Sequence, residues 1–455
     1  MTLRLALGLA VIVPSVAAAQ AWSIQSGATA RGEFNDNYFF TSTNRQSAFT
    51  ASVSPFVTAA RRTETTDVTA VLAVGLNQVW GPSPTTDYVS GLLGLNGAVN
   101  DERSKWIGAI SFVRAPALQS AQTQSGIELV RAYTNTASVN GGYSYALTER
   151  WSVGATAAWY DNSYDAVEGG STLSDNRGYN AGATANFRYS ERTRFTGAAV
   201  FSHYASDITR NDAMTATLAV VHEFSPKLTL SAAVGGFWSD IEVTQTALVC
   251  PTTPILCDTG VAQRVPISSG QQRRDSGPLY GGGIGYAFSE RTQLAVALSQ
   301  NLAPGSTGTL TRTNNASAAL SHRYSERLTG RLGAGYTRTS FPTGLSGSFS
   351  NTYYVGGIGA SYQLAERWLL DAGYRYTRAE YSDDPSRPAS NVVFISVGYN
   401  WPGTSFTDWV GTGVIPDYSP GAGPISLPER RPVPPSGESP SAPVERSPFD
   451  VFTIP

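Results

Sequence analysis

The chain has 455 residues, with 32 basic and 34 acidic side chains, a balance that argues against a nucleic-acid partner. Charged residues make up 15% of it, against about 25% in ordinary soluble domains, while glycine (45), tyrosine (22), phenylalanine (18) and tryptophan (9) are plentiful. Nothing beyond the N-terminus approaches the roughly 18 apolar residues of a membrane helix. The composition therefore speaks against a helical membrane protein and makes a soluble enzyme a poor fit.

Residues 1–19 read as a secretory signal. Arg4 supplies the positive region, Leu5 to Val13 the apolar stretch, and Ala17-Ala18-Ala19 the cleavage site ahead of Gln20. The mature chain is expected to be exported, with its barrel over residues 20–401.

From there the pattern alternates. In WSVGATAAWY (151–160), Trp151, Val153, Ala155, Ala157 and Trp159 share one face of a strand, and Ser152, Gly154 and Thr156 the other. Eight residues of tilted strand separate the two tryptophans by roughly 20 Å, near the height of a bilayer's apolar band. The same alternation runs through 68–80, 228–238, 292–299 and 368–377, with aromatics again at the ends. Such segments, longer than the usual five or six residues of a soluble strand, predict a transmembrane β-barrel. Trp151, Trp159, Trp238 and Trp368 are its expected membrane girdle.

Between these segments a short phrase recurs: TER at 148–150, SER at 190–192, 289–291 and 325–327, and AER at 365–367, with SPK at 225–227 in the same slot. Residues 61–64 and 100–103 are looser versions. Each reads as a tight turn. Successive turns lie mostly 35–47 residues apart, enough for two strands and one longer loop. Two strands per turn, a first strand near 22–34 and a last near 391–401 predict an antiparallel up-and-down barrel of about 18 strands (16–20). The short turns are then periplasmic. Loops near 35–46, 115–130, 164–176, 244–275 and 340–348, among others, are expected outside. Cys250 and Cys257 fall in the 244–275 loop, close enough to form a disulfide in an oxidising compartment. Residues 402–455 hold 12 of the 26 prolines and predict a disordered or polyproline-like periplasmic tail.

No catalytic or metal-ligating constellation stands out. His222 and His322 sit two residues before a turn aromatic. His203 lies beside Ser202 without an identifiable activating partner. No cofactor is expected. The inward face carries what chemistry there is: alternation turns Arg194, Arg331, Asp371 and Arg375 toward the lumen as candidate pore-lining residues, since charged rings tune pore selectivity. These side chains could equally pair with one another and only satisfy the lumen.

The opening of the mature chain, QAWSIQSGATARGEFNDNYFF followed by FTASVSPFVTAA, resembles the outer-membrane barrels called β-barrel porin 2, or exopolysaccharide-system-associated barrels. The resembling residues are Trp22-Ser23-Ile24, Asp36-Asn37 and Val53-Ser54-Pro55-Phe56. The resemblance implies an outer-membrane barrel linked to polysaccharide secretion or surface assembly, with no catalytic residues to carry over. Its proline-rich tail departs from barrels that end at their last aromatic strand. The expected function is a pore or export conduit for surface polysaccharide or small polar solutes. The alternative is a structural or adhesive surface barrel with a filled lumen. Outer-membrane lipid, the barrel assembly machinery and polysaccharide-secretion proteins are the expected partners.

Overall fold

The structure, a computed structural model, describes residues 22–81, 87–116, 133–165, 174–207, 209–249, 265–304, 310–340, 350–382 and 387–401. The expected signal peptide, both cysteines and the proline-rich tail lie outside the described residues. Eighteen strands make up the fold. They are β1 Trp22–Asn35, β2 Ala48–Arg62, β3 Thr66–Trp80, β4 Tyr88–Asn100, β5 Ser104–Pro116 and β6 Tyr133–Ala146. Then come β7 Trp151–Tyr164, β8 Asn176–Ser190, β9 Thr193–Ser206, β10 Thr209–Ser225, β11 Leu228–Val249 and β12 Val265–Ser289. The last are β13 Thr292–Pro304, β14 Leu310–Arg323, β15 Leu328–Ser340, β16 Ser350–Ala365, β17 Trp368–Tyr381 and β18 Ala389–Asn400.

Each strand pairs antiparallel with its sequence neighbours, and β1 pairs with β18 from Gly27↔Asn400 to Asn35↔Val392, closing the sheet. Closure leaves no strand edge, so the backbone ladder is satisfied within the wall, as hydrocarbon requires.

Exposure tells the two faces apart. Val234 is 64% exposed, whereas its chain neighbour Ala233 is 6% exposed. Ile24, Leu76, Leu218, Ile358 and Val393 are likewise exposed large apolar side chains, all on the outer wall. Such a surface suits lipid, because burying apolar area in hydrocarbon is favourable and in water it is not. The outer wall also carries Trp151, Trp159, Trp238 and Trp368. Trp151 stacks on Phe187 at 4.6 Å, and Trp368 lies 4.7 Å from Tyr399.

The recurring turn phrase has a physical explanation. Its hydroxyl accepts from the backbone two and three residues on: Arg291 N and Thr292 N to Ser289 Oγ at 3.2 and 3.1 Å, and Arg327 N and Leu328 N to Ser325 Oγ at the same distances. Thr148 does the same for Arg150 and Trp151, and Ser225 for Lys227 and Leu228. This is the side-chain-capped turn that Ser and Thr favour. At four turns the register shifts just before the bend, at Arg188/Ser190, Glu223/Ser225, Ala287/Ser289 and Gln363/Ala365. Each bulge ejects one large apolar residue outward, Tyr189, Phe224, Phe288 and Leu364 respectively, all exposed.

Two loop expectations are corrected. Residues 244–275 are not one enlarged loop: β11 and β12 stay in register as a ribbon up to Val249↔Val265. Residues 35–46 do not project outside. The Asp36 carboxylate accepts from Asn391 N and Nδ2, both at 2.6 Å, and Asn37, fully buried, donates to Ala389 O at 2.8 Å. These bonds stitch the β1–β2 loop across β18. Phe40, 2% exposed with φ 55°, then packs on Tyr353 and Ala379 on the inner faces of β16 and β17. An apolar ring that would otherwise face water, together with two carbonyl- and amide-seeking side chains, turns the loop inward.

Candidate pore lining

The inner wall is built of small and polar residues, and five charged side chains, Arg31, Glu33, Arg331, Asp371 and Arg375, lie on it in an arc from β15 to β1. Strand alternation sets each one: Arg331 neighbours outward Leu332, Asp371 and Arg375 flank outward Ala372 and Tyr374, and Arg31 and Glu33 alternate with outward Phe34. Ladder pairs share a face. Arg331 stands opposite Ser321 and Gly359, Gly359 opposite Gly373, Gly373 opposite Phe394, and Phe394 opposite Glu33. A Cβ on Gly373 would lie 2.7 Å from the Phe394 ring, so glycine is what lets that ring lie flat on the wall. The Arg31 guanidinium sits 3.9 Å above Phe394 and bonds Glu33 at 2.6 Å.

Asp371 accepts a hydrogen bond from Ser361. Arg331 is exposed to the lumen and makes no ion pair or hydrogen bond among the described residues. Arg331, Asp371 and Arg375 thus share one arc. Arg194 lies on the opposite wall, on β9, across from Arg188 of β8 and Val221 of β10.

Lower in the lumen, Phe56, Leu369 and Ala73 form a small apolar cluster. The Phe56 ring lies over Gly27, whose Cβ would come within 2.5 Å of it. Near the extracellular end, Phe40 narrows the mouth along β16 and β17.

Sequence reasoning missed Arg31, Glu33, Phe394 and Phe40. The first three carry a readable signal, since Arg31 and Glu33 alternate with Phe34 just as the chosen residues do with theirs. Phe40 carries none, because its partners lie more than 300 residues away.

The histidines are on the outer wall. His203 Nδ1 meets Asp212 at 2.6 Å, and its ring stacks on Tyr179 at 5.0 Å. Ser202 points into the lumen, so the two adjacent residues occupy opposite faces of β9 and cannot act together. His222 pairs with Thr193 at 2.8 Å and His322 with Thr292 at 2.7 Å, each edge-on to its turn aromatic.

A closed barrel with an apolar outer wall and a polar inner one is an outer-membrane β-barrel. The family profile described as outer membrane protein beta-barrel domain matches residues 258–401, and the protein resides in the outer membrane. No curated protein matches the chain. Among solved structures, OpdK of Pseudomonas aeruginosa is 11% identical over 83% of this chain and 99% of its own, with a TM-score of 0.43. A BenF-like porin of Pseudomonas fluorescens Pf-5 is 11% identical over 83% and 99%, at 0.44. The ferric-catecholate import receptor Fiu of E. coli K12 is 10% identical over 83% and 81%, at 0.43. Similarity at this level bears on neither solute nor mechanism.

Proposed function

We propose that this barrel is a pore for small polar solutes, with a preference for anions, lined by Arg194, Arg331, Asp371 and Arg375. The observation that carries the reading is Arg331: a fixed cation exposed inside the lumen with no partner among the described residues. Arg375 adds to it. Among the described residues of the arc from β15 to β1, Arg31, Arg331 and Arg375 stand against Glu33 and Asp371, one more positive than negative charge presented to a passing solute. Outer-membrane lipid surrounds the barrel, and the barrel assembly machinery inserts it. The polysaccharide conduit implied by the resemblance needs a wide axial path, which the inward β1–β2 loop works against. Transport is the role proposed, and the one serine beside a histidine–carboxylate pair, Ser202, lies on the opposite face of β9 from His203 and Asp212.

Single-channel recording in a planar bilayer tests this. Stepwise currents are expected, with a reversal potential displaced toward that of chloride in a salt gradient, and Arg331→Glu should move it toward the cation. Folded protein that never gives stepwise current would remove the pore. It would leave the second reading, a surface barrel with a filled lumen, which the packing of Phe40 on Tyr353 favours.

A further inference from the structure

The ladder between β12 and β13 ends early. It stops at Gly281↔Ser299, although β12 runs on against β11 to Val265, and β13 runs on against β14 to Pro304. Above that rung two strand edges face each other with no backbone bond between them among the described residues. Unpaired edges are exceptional in a barrel wall, because hydrocarbon cannot satisfy their amides and carbonyls. The break begins at the aromatic belt, flanked by outward Trp238, Tyr280 and Leu298, where headgroups and water can do so.

Glycine marks the point of departure. Gly281, Gly282 and Gly283 stand where β12 leaves β13, and Gly235 and Gly236 of β11 stand opposite Leu279 and Pro278. A Cβ on Gly235 would collide with Ala216 O and Thr217 Cα, so β11 presses onto β10 at this level as only glycine allows. Pro278 has no N–H to offer a neighbouring strand.

Side chains bridge the seam in place of the ladder. The Arg312 guanidinium of β14 bonds Asp275 at 3.2 Å and lies 5.0 Å from the Phe237 ring centroid. Asn314 Oδ1 accepts from Tyr280 Oη and from Gln300 Nε2, both at 2.8 Å. By alternation Arg312 belongs to the outward side of β14, whereas Asp275 and Phe237 belong to the inward side of the ribbon. A continuous ladder would keep such side chains apart. Arg312 and Asp275 are both partly exposed, so water competes for their bond.

We propose that the β11–β12 ribbon is a hinged flap and the upper β12–β13 seam a side door to the lumen, shut here by Arg312–Asp275 and by Asn314. Gly235–Gly236 and Gly281–Gly283 form the hinge. Opening breaks a few side-chain bonds and no ladder bond between β12 and β13. It gives the lumen an outlet at headgroup level, away from the mouth that Phe40 narrows along β16 and β17. The motion of the flap does not depend on whether the lumen conducts ions.

Double electron–electron resonance tests this on the full chain in phosphatidylcholine nanodiscs. Spin labels go on Ser276→Cys and Leu332→Cys, with Cys250 and Cys257 replaced by serine. Both labelled positions are exposed and outward, on either side of the seam. Heat-modifiable migration verifies folding of every variant. Two populations are expected, the larger at the closed separation. Arg312→Gln and Asp275→Asn should each raise the longer-distance population about two- to fivefold, the weight of a partly exposed ion pair. A single narrow distribution, unchanged in both variants, overturns the proposal. The control pair Leu95→Cys and Val153→Cys spans unbroken ladders from β4 to β7 and should not respond. Equal broadening of that pair also overturns the proposal, because the whole wall would then be loosening.

Discussion

Leu95 and Asn96 are chain neighbours in β4 with opposite surroundings. Both are exposed, Leu95 on the outer wall and Asn96 on the inner. Leu95→Arg should therefore cost about 2–4 kcal/mol near the bilayer midplane, while Asn96→Arg costs little. Urea unfolding in lipid vesicles measures both, and the reverse order would mean the faces are inverted. Trp151→Arg and Ser152→Arg should follow the same order with a smaller difference, because Trp151 sits at the strand end. Phe40 is a different kind of residue. Its ring fills a wall position at the extracellular mouth rather than supporting a ladder, so Phe40→Ala should leave the barrel heat-modifiable and raise single-channel conductance. A double variant, Phe40→Cys with Ala379→Cys, should form a disulfide detectable by peptide mapping, which locates the loop whether or not the lumen conducts.

At the scale of elements, the hairpins repeat one device. A Ser or Thr hydroxyl caps the turn and, at four of them, a bulge ejects an aromatic or Leu toward the membrane rim. The Glu-Arg pair that draws the eye in the sequence is solvated, and the hydroxyl before it makes the bonds. Ser325→Ala should destabilise the β14–β15 turn by about 0.5–1.5 kcal/mol, whereas Glu326→Gln should be neutral. Comparison of unfolding midpoints separates the two. The β11–β12 ribbon extends beyond its neighbours, since β12 pairs with β13 only from Gly281 to Ser289 but with β11 up to Val265. If Cys250 and Cys257 form the expected disulfide, its reduction should leave gel migration of the folded barrel unchanged, because the wall below the ribbon is complete without them.

For the molecule as a whole, closure through β1 and β18 is the decisive contact. Trp401 N donates to Ser26 O at 3.0 Å, and its ring lies 5.9 Å from Tyr399, so the described chain ends on its own first strand. A chain truncated after Trp401 should then assemble and migrate as a heat-modifiable barrel. Failure of that truncation to insert would assign the proline-rich tail a part in assembly.

The class, a strand number of about 18 and the inward facing of Arg331, Asp371 and Arg375 are legible in the sequence. All three follow from a period of two and from turn chemistry, which are local and survive without knowledge of the partner strand. It did not reveal the inward β1–β2 loop or the length of the β11–β12 ribbon. Those depend on which residues the register sets side by side across strands, and on Asn37 and Phe40 finding partners far along the chain. Local propensity cannot encode such contacts, which exist only once the barrel has closed.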